Sequence, residues 1–367
     1  MARLTKHIVI AVCVAVGVAL SLFITKDVNA NTLLALIDGQ SDFSISDFYN
    51  RVDANRDEKA VDSNIVVVNI DSVTDRSDMA MLLQRIFRCR PRVVGVDAVF
   101  AQPRTPAGDS LLFVTLSAHT AKLVLSSSLA EDGVSVNPDV VSERLPSACR
   151  GVANLVSKGR RGVVRTYRPA YVLGGDTLPS LALSMCRKMG TACPVTTDLE
   201  HIYYSSNEIL VLQPDDVVRN ADLIRGKAVL VGTVGEAADL HATPLSAEYP
   251  GVLIHANILS NMLGGDYLTV VDDLINWTLG ILLSVLMGFF YFAMSGHKSK
   301  PVAIRLALLL VVAVGIWVGC WVYSAFHVSL GVPKILLVVA LGQLSLDLYC
   351  AADELLHSNI VKKIRKK

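Results

Sequence analysis

Four apolar runs constrain this chain more than any other feature. The first, HIVIAVCVAVGVALSLFIT (7–25), contains no Lys, Arg, Asp or Glu. Three more lie together further on: LINWTLGILLSVLMGFFYFAMS (274–295), LALLLVVAVGIWVGCWVYSAF (306–326) and VPKILLVVALGQLSLDLYC (332–350). A bilayer-spanning helix needs about 20 mainly apolar residues, and the core of a cleavable signal peptide only about 7–15. The length of the first run therefore favours an uncleaved anchor, although VNA (28–30) also fits a small-residue cleavage site. These runs account for a hydrophobic content of 52%, high for a soluble protein.

Charge placement orients the runs. Arg3 and Lys6 precede the first, HKSKPVAIR (297–305) joins the second and third, and KKIRKK (362–367) follows the fourth. The excess of Lys and Arg on cytoplasmic loops puts all three segments inside. Both ends are then cytoplasmic, and residues from about 27 to 272 lie outside the cytoplasm. The expected organisation is an anchor (1–26), an external domain (27–272), three further spans (273–352) and a short basic tail (353–367). With 34 basic against 33 acidic residues, no overall field favours nucleic acid.

The external segment reads as alternating strands and helices after a mixed, polar lead-in (27–60). Strands are expected at 64–71, 91–100, 121–129, 151–157, 162–173, 207–213 and 226–234. Helices are expected at 77–89 behind a Ser cap, at 107–120, at 178–190 and at 251–265 with a Gly-Gly stop. Continuously apolar strands alternating with helices predict an α/β domain whose largely parallel sheet is covered on both faces. Cys89, Cys149, Cys186 and Cys193 fall in this domain, and Cys13, Cys320 and Cys350 in the spans. Four cysteines in an oxidising compartment allow three pairings, of which Cys186–Cys193 is closest in sequence; the alternative is that they are small buried hydrophobes.

The order of these features resembles CHASE2, the extracytoplasmic sensory domain of bacterial membrane receptors. The resemblance is carried by a strand ending at Asp71, by VVGVDAVF with Asp97, by Asp109, and by GVVR (162–165). GKAVLVGTVGEAADLHATP (226–244) followed by PGVLIHANILSNML (250–263) is the most specific part. It runs from about residue 30 onward and implies one span before the domain and three after it. It also implies a bacterial inner membrane protein with the large domain in the periplasm. Two departures stand out. VTDRSDMA (73–80) keeps only Arg76 of a Pro/aromatic–Arg element, and GRR (159–161) replaces acidic residues before GVVR. Such receptors usually continue into a cyclase or kinase, whereas here 17 residues follow Cys350, so no enzymatic output is expected from this sequence.

Asp71 and Asp97 sit at the carboxyl ends of expected strands, and Asp239 in the loop that follows another. In open α/β sheets ligands bind outside the carboxyl ends of the strands. If the three strands are parallel and adjacent, these carboxylates converge, which suits a divalent cation or an ammonium-bearing ligand. The competing expectation, given more weight, is that each Asp caps a helix or pins its loop. His241 and His255 match no zinc spacing, and His255 reads as a buried helix residue at a packing seam. Arg165 is a further binding candidate, able to pair with one of the acidic residues. In the fourth run Asp347 is the costly residue; at similar depth it either pairs with Arg305 across two helices, or each residue snorkels to the interface. No GxSxG, Walker A, HExxH or kinase set appears. The expected function is a non-enzymatic sensor that relays an envelope signal to a separate protein, the alternative being a structural or assembly subunit of an envelope complex. The bilayer is one partner, and a second copy of the chain is another. Ligand and cofactor are left unassigned.

Overall fold

The structure, a computed structural model, describes residues 3–27, 44–54, 60–130, 135–158, 162–204, 208–297 and 299–365. The VNA motif and the Arg160–Arg161 pair lie outside the described residues. In chain order the helices are α1 (Arg3–Asp27), α2 (Ile45–Ala54), α3 (Arg76–Arg88), α4 (Pro106–Ser117), α5 (Leu181–Lys188), α6 (Ala221–Ile224), α7 (Gly251–Gly264), α8 (Asp273–Ala293), α9 (Lys300–Phe326) and α10 (Val332–Arg365). The principal strands are β1 (Val61–Asn69), β2 (Val93–Val96), β3 (Leu123–Ser127), β4 (Arg150–Val152), β5 (Val156–Lys158), β6 (Val163–Tyr167), β7 (Ala170–Leu173), β8 (Asp176–Pro179), β9 (Glu200–His201), β10 (Glu208–Leu212) and β11 (Ala228–Gly232). The chain divides into two compact units, residues 50–268 and residues 1–49 with 269–367.

Unit 50–268 is built on a six-stranded sheet in the order β10-β1-β11-β2-β3-β4, parallel throughout. The central stretches of its strands, Ile65–Val68, Val93–Val96, Leu123–Leu125 and Ala228–Val231, are continuously apolar because both faces are covered. Along β1, Val66 and Val68 face the core shared with α3 and α4, and Ile65 and Val67 face the core shared with α5 and α7. These four side chains are fully buried, each contributing about 1.5–3 kcal/mol relative to exposure. From β1 the chain steps to β2, then β3 and β4, leaving a gap that β11 later fills. Every carboxyl end of the sheet consequently opens on one edge.

Several local expectations are corrected. The cap of α3 is Asp75, whose carboxylate accepts the Ser77 N–H at 2.6 Å, so Ser77 lies inside the first turn. The single strand expected over 162–173 is two strands, because Pro169 has no N–H to continue a ladder. β6 pairs antiparallel with β5 and β9, while β7 turns through Gly174 and Gly175, both at positive φ, into β8. Within the lead-in, α2 starts with one half of a capping box: Ser44 N–H donates to Asp47 Oδ2 at 3.0 Å. All seven cysteines are free thiols; Cys186 is fully buried beside Cys193.

The other unit contains four helices long and apolar enough to cross a membrane. α1, α8 and α10 pack closely through small residues, the packing mode of helices in lipid. A Cβ on Gly17 of α1 would stand 2.6 Å from the backbone N of Gly342 on α10. Gly342 in turn faces Ser284 of α8, and Gly288 faces Ile10. Asn276 fixes the far end, its Oδ1 accepting the Gly331 N–H at 3.0 Å. The Tyr49 ring packs tilted against Tyr323 of α9, 5.5 Å between centroids, over Gly319. The expected Arg305–Asp347 pair does not form: both residues are exposed and no ion pair joins them. The reason is that α10 packs mainly against α1 and α8 and only sparsely against α9, so the neighbour of Asp347 is Tyr291 of α8.

Candidate functional site

A cleft of about 700 Å³ lies at the carboxyl edge of the parallel sheet, lined by the segments that follow β1, β2, β3, β4 and β11. Strand alternation determines what reaches it. Val94 and Val96 of β2 point into the α3/α4 core, so the next residue, Asp97, points to the opposite side, toward α7. Ser126 and Ser128 share the side of Val124 on β3. All three polar residues line the cleft.

Two acid–histidine contacts stand in it. His255, one turn into α7, places Nε2 3.9 Å from Asp97 Oδ2. His241 places Nε2 3.3 Å from Asp239 Oδ1, and the Thr233 hydroxyl donates to Asp239 Oδ2 at 3.4 Å. Two glycines make this geometry accessible. A Cβ on Gly232 would meet Val252 at 2.8 Å and Asp97 Cβ at 3.3 Å, so its absence lets α7 close over the strand end. A Cβ on Gly251 would meet Asp239 Oδ1 at 2.4 Å.

Asp97 is the unusual group. Its side chain is 14% exposed, and no described residue donates a hydrogen bond to its carboxylate. Burial pushes its pKa up; His255 pulls it down, Asp239 pushes it further up, and His241 pulls it down, with a net rise. Asp71 behaves in the opposite way. Its carboxylate accepts the Val234 and Gly235 N–H groups at 3.0 and 2.9 Å and the Asn69 amide at 3.0 Å, and so pins the loop after β11.

The three carboxylates therefore do follow adjacent parallel strands, β1, β11 and β2. Asp97 and Asp239 meet in the cleft, and Asp71 serves the loop. Arg165 is not brought there: it sits on β6 in the small antiparallel sheet, where its carbonyl accepts the Ile202 N–H at 2.9 Å. His255 lines the cleft opposite Asp97. Among the described residues no group of three or more His, Cys, Asp or Glu is placed to hold a metal ion.

Sequence reasoning missed Arg104, Ser126, Asn154 and Glu236, which also line the cleft. Their one legible signal is position, since each follows a strand or ends one at the carboxyl edge. Arg104 borders a second, smaller hollow of about 220 Å³ and belongs to a structural tie. Its N–H donates to Asp109 Oδ2 at 2.9 Å, and buried Arg76 pairs with Asp109 Oδ1 at 2.5 Å while lying over the Phe100 ring. Burial pushes the Asp109 carboxyl up, but the hydrogen bonds and charges of Arg76 and Arg104 together bring it below its usual range. Arg76 and Asp109 thus join the starts of α3 and α4.

Compared with known families, the chain matches the model of the CHASE2 domain over residues 17–294, well over half its length. No curated protein and no solved structure matches it. That match spans β1 through α8 and includes every residue of the cleft. The chain belongs to the CHASE2 family of extracytoplasmic sensory domains.

Proposed function

We propose that this protein is a membrane-anchored receptor module whose cleft at the carboxyl edge of the sheet binds a small signal molecule. The observation that carries this reading is the Asp97 carboxylate. It is largely buried, has no hydrogen-bond donor among the described residues, and faces a solvent-reachable cleft in a sensory domain. A buried carboxylate without donors costs stability, and such groups concentrate where a ligand completes the set. The protein acts by binding and not by catalysis. The four apolar helices cross the inner membrane of a bacterium, with Lys and Arg of the flanking segments on the cytoplasmic side and the α/β domain in the periplasm. Ligand binding shifts the helices between two arrangements, and a separate signalling or envelope protein reads the difference. A second copy of the chain is among the partners.

The test uses the full-length protein in native membranes. A small-molecule library is screened by thermal shift, and the hits are then added during crosslinking of the protein to its neighbours. The receptor reading expects a ligand that both stabilises the protein and changes its crosslinked partners. It also expects both effects to be lost in Ala153→Trp, which fills the cleft. Partners that stay the same under every stabilising compound would instead make the chain a structural subunit.

A further inference from the structure

We infer that the cleft selects a small polar ligand bearing a primary ammonium group, with the Asp97 carboxylate as its counter-ion and the Ser126 hydroxyl as a further hydrogen-bond acceptor. This inference rests on the cleft being the ligand site proposed above. Three observations lead to it. First, among the described lining residues the acids Asp97, Asp239 and Glu236 outnumber the one arginine, Arg104, and that arginine already donates to the Thr74 carbonyl at 2.9 Å. A cation meets a favourable field there. Second, Ser126 is fully buried and lines the cleft, yet its hydroxyl has no hydrogen-bond partner among the described residues. A buried hydroxyl of this kind is costly unless a partner completes it. Third, no Phe, Tyr or Trp is among the described residues lining the cleft. Quaternary ammonium groups, which have no N–H to donate, are held on aromatic faces. A cleft of carboxylate, hydroxyl and amide groups suits a cation that donates hydrogen bonds, since hydrogen bonds to ionised acceptors are the strong ones.

A metal ion fits less well, because the described acids and histidines are not gathered at ligating distance around one point. The groups facing Asp97 are His255 from α7, and Asp239 and His241 from the segment after β11. An ammonium group takes the place of the proton that burial otherwise retains on Asp97, so binding strengthens as pH rises.

The experiment uses the full chain in lipid nanodiscs and three probes that share one hydroxyethyl frame: ethanolamine, choline and ethylene glycol. Choline carries the same charge as ethanolamine and so controls for ionic strength. The expected result is a saturable rise in Tm of about 5 °C with ethanolamine and none with the other two. Asp97→Asn, which keeps the shape of the side chain, should abolish the rise. Ser126→Ala should raise the half-saturating concentration about fivefold. Equal shifts with choline and ethanolamine, or an ethanolamine shift that survives in Asp97→Asn, would overturn the inference. So would neutral or anionic library hits that Ala153→Trp abolishes in the absence of any ammonium response, and in that case the cleft reading itself would stand. Silence from every compound would overturn both.

Discussion

The loops after β1 and β2 start from the same chemistry, an aspartate just past the end of a parallel strand, and arrive at opposite states. Asp71 accepts three hydrogen bonds, two of them from backbone N–H groups, and holds the neighbouring loop in place. Asp97 accepts none from the described residues and looks into a cleft. Burial alone does not separate them. Asp139 is only 3% exposed, yet its carboxylate accepts the N–H groups of Phe100, Val141 and Ser142. The lesson is that a strand-end acid is structural when the backbone supplies its donors, and a candidate for ligand contact when the backbone leaves them out.

This contrast can be broken or sharpened by substitution. Gly251→Ala should have the largest effect, because the new methyl would stand 2.4 Å from Asp239 Oδ1. Overpacking of this kind costs about 1–3 kcal/mol, and adding Asp239→Ala should restore much of the loss; a chemical-denaturation cycle on the full chain reads the coupling. Asp71→Ala should cost about 1–2 kcal/mol, since the amides it serves are exposed and water replaces part of what is lost. An Asp71→Ala protein as stable as the parent would end the distinction between the two loops.

Asp97→Asn should move stability the other way, raising Tm at neutral pH by less than Asp71→Ala lowers it. The sign follows from proton binding. The folded-state pKa of Asp97 lies above its ordinary value of about 3.9, so in the window between them the folded protein holds a proton that the unfolded chain has lost. Stability therefore falls as pH rises through that window, and Asp97→Asn removes the fall. Asp109 has the opposite linkage. Its depressed folded-state pKa gives stability that is present above the unfolded value and lost as pH drops through the folded one. Urea melts at a series of pH values, with Asp97→Asn and Asp109→Asn beside the parent, separate the two slopes. The smallest effect is expected in the helical base. Arg305→Ala and Asp347→Asn should combine additively, within about 0.5 kcal/mol, because the two side chains share no contact.

Much of the fold was legible because strands buried on both faces announce themselves as apolar runs: VVGV, LVL and AVLVG sit where β2, β3 and β11 form. The convergence of Asp97 and Asp239 was legible as a condition on strand adjacency, which β11 meets by lying between β1 and β2. That Asp71 pins a loop was the weightier expectation, but which loop was not legible, because two of its three donors are backbone amides more than 160 residues away. Ser126 was hidden in the same way: a serine ending an apolar strand looks like any other until the strand's neighbours show what lies above it. The Arg305–Asp347 pairing failed for a physical reason. Similar depth along two helices does not bring side chains together when the helices make their main contacts elsewhere. Arg165 lies apart from the cleft because GVVR, which reads as one more strand of the main sheet, pairs antiparallel as β6 in the small sheet.

The placement of β11 sets a timetable for the molecule's birth. The central strand of the sheet is also its last to be synthesised, flanked on both sides by strands that leave the ribosome well over a hundred residues earlier. Until residue 232 has been made and exported, β1 and β2 have no partner between them, and their apolar edges stay open to other chains. Pairings this distant in sequence form slowly. A nascent chain of this protein should therefore depend on holding factors outside the membrane up to the moment β11 arrives, and close its sheet in a single late event.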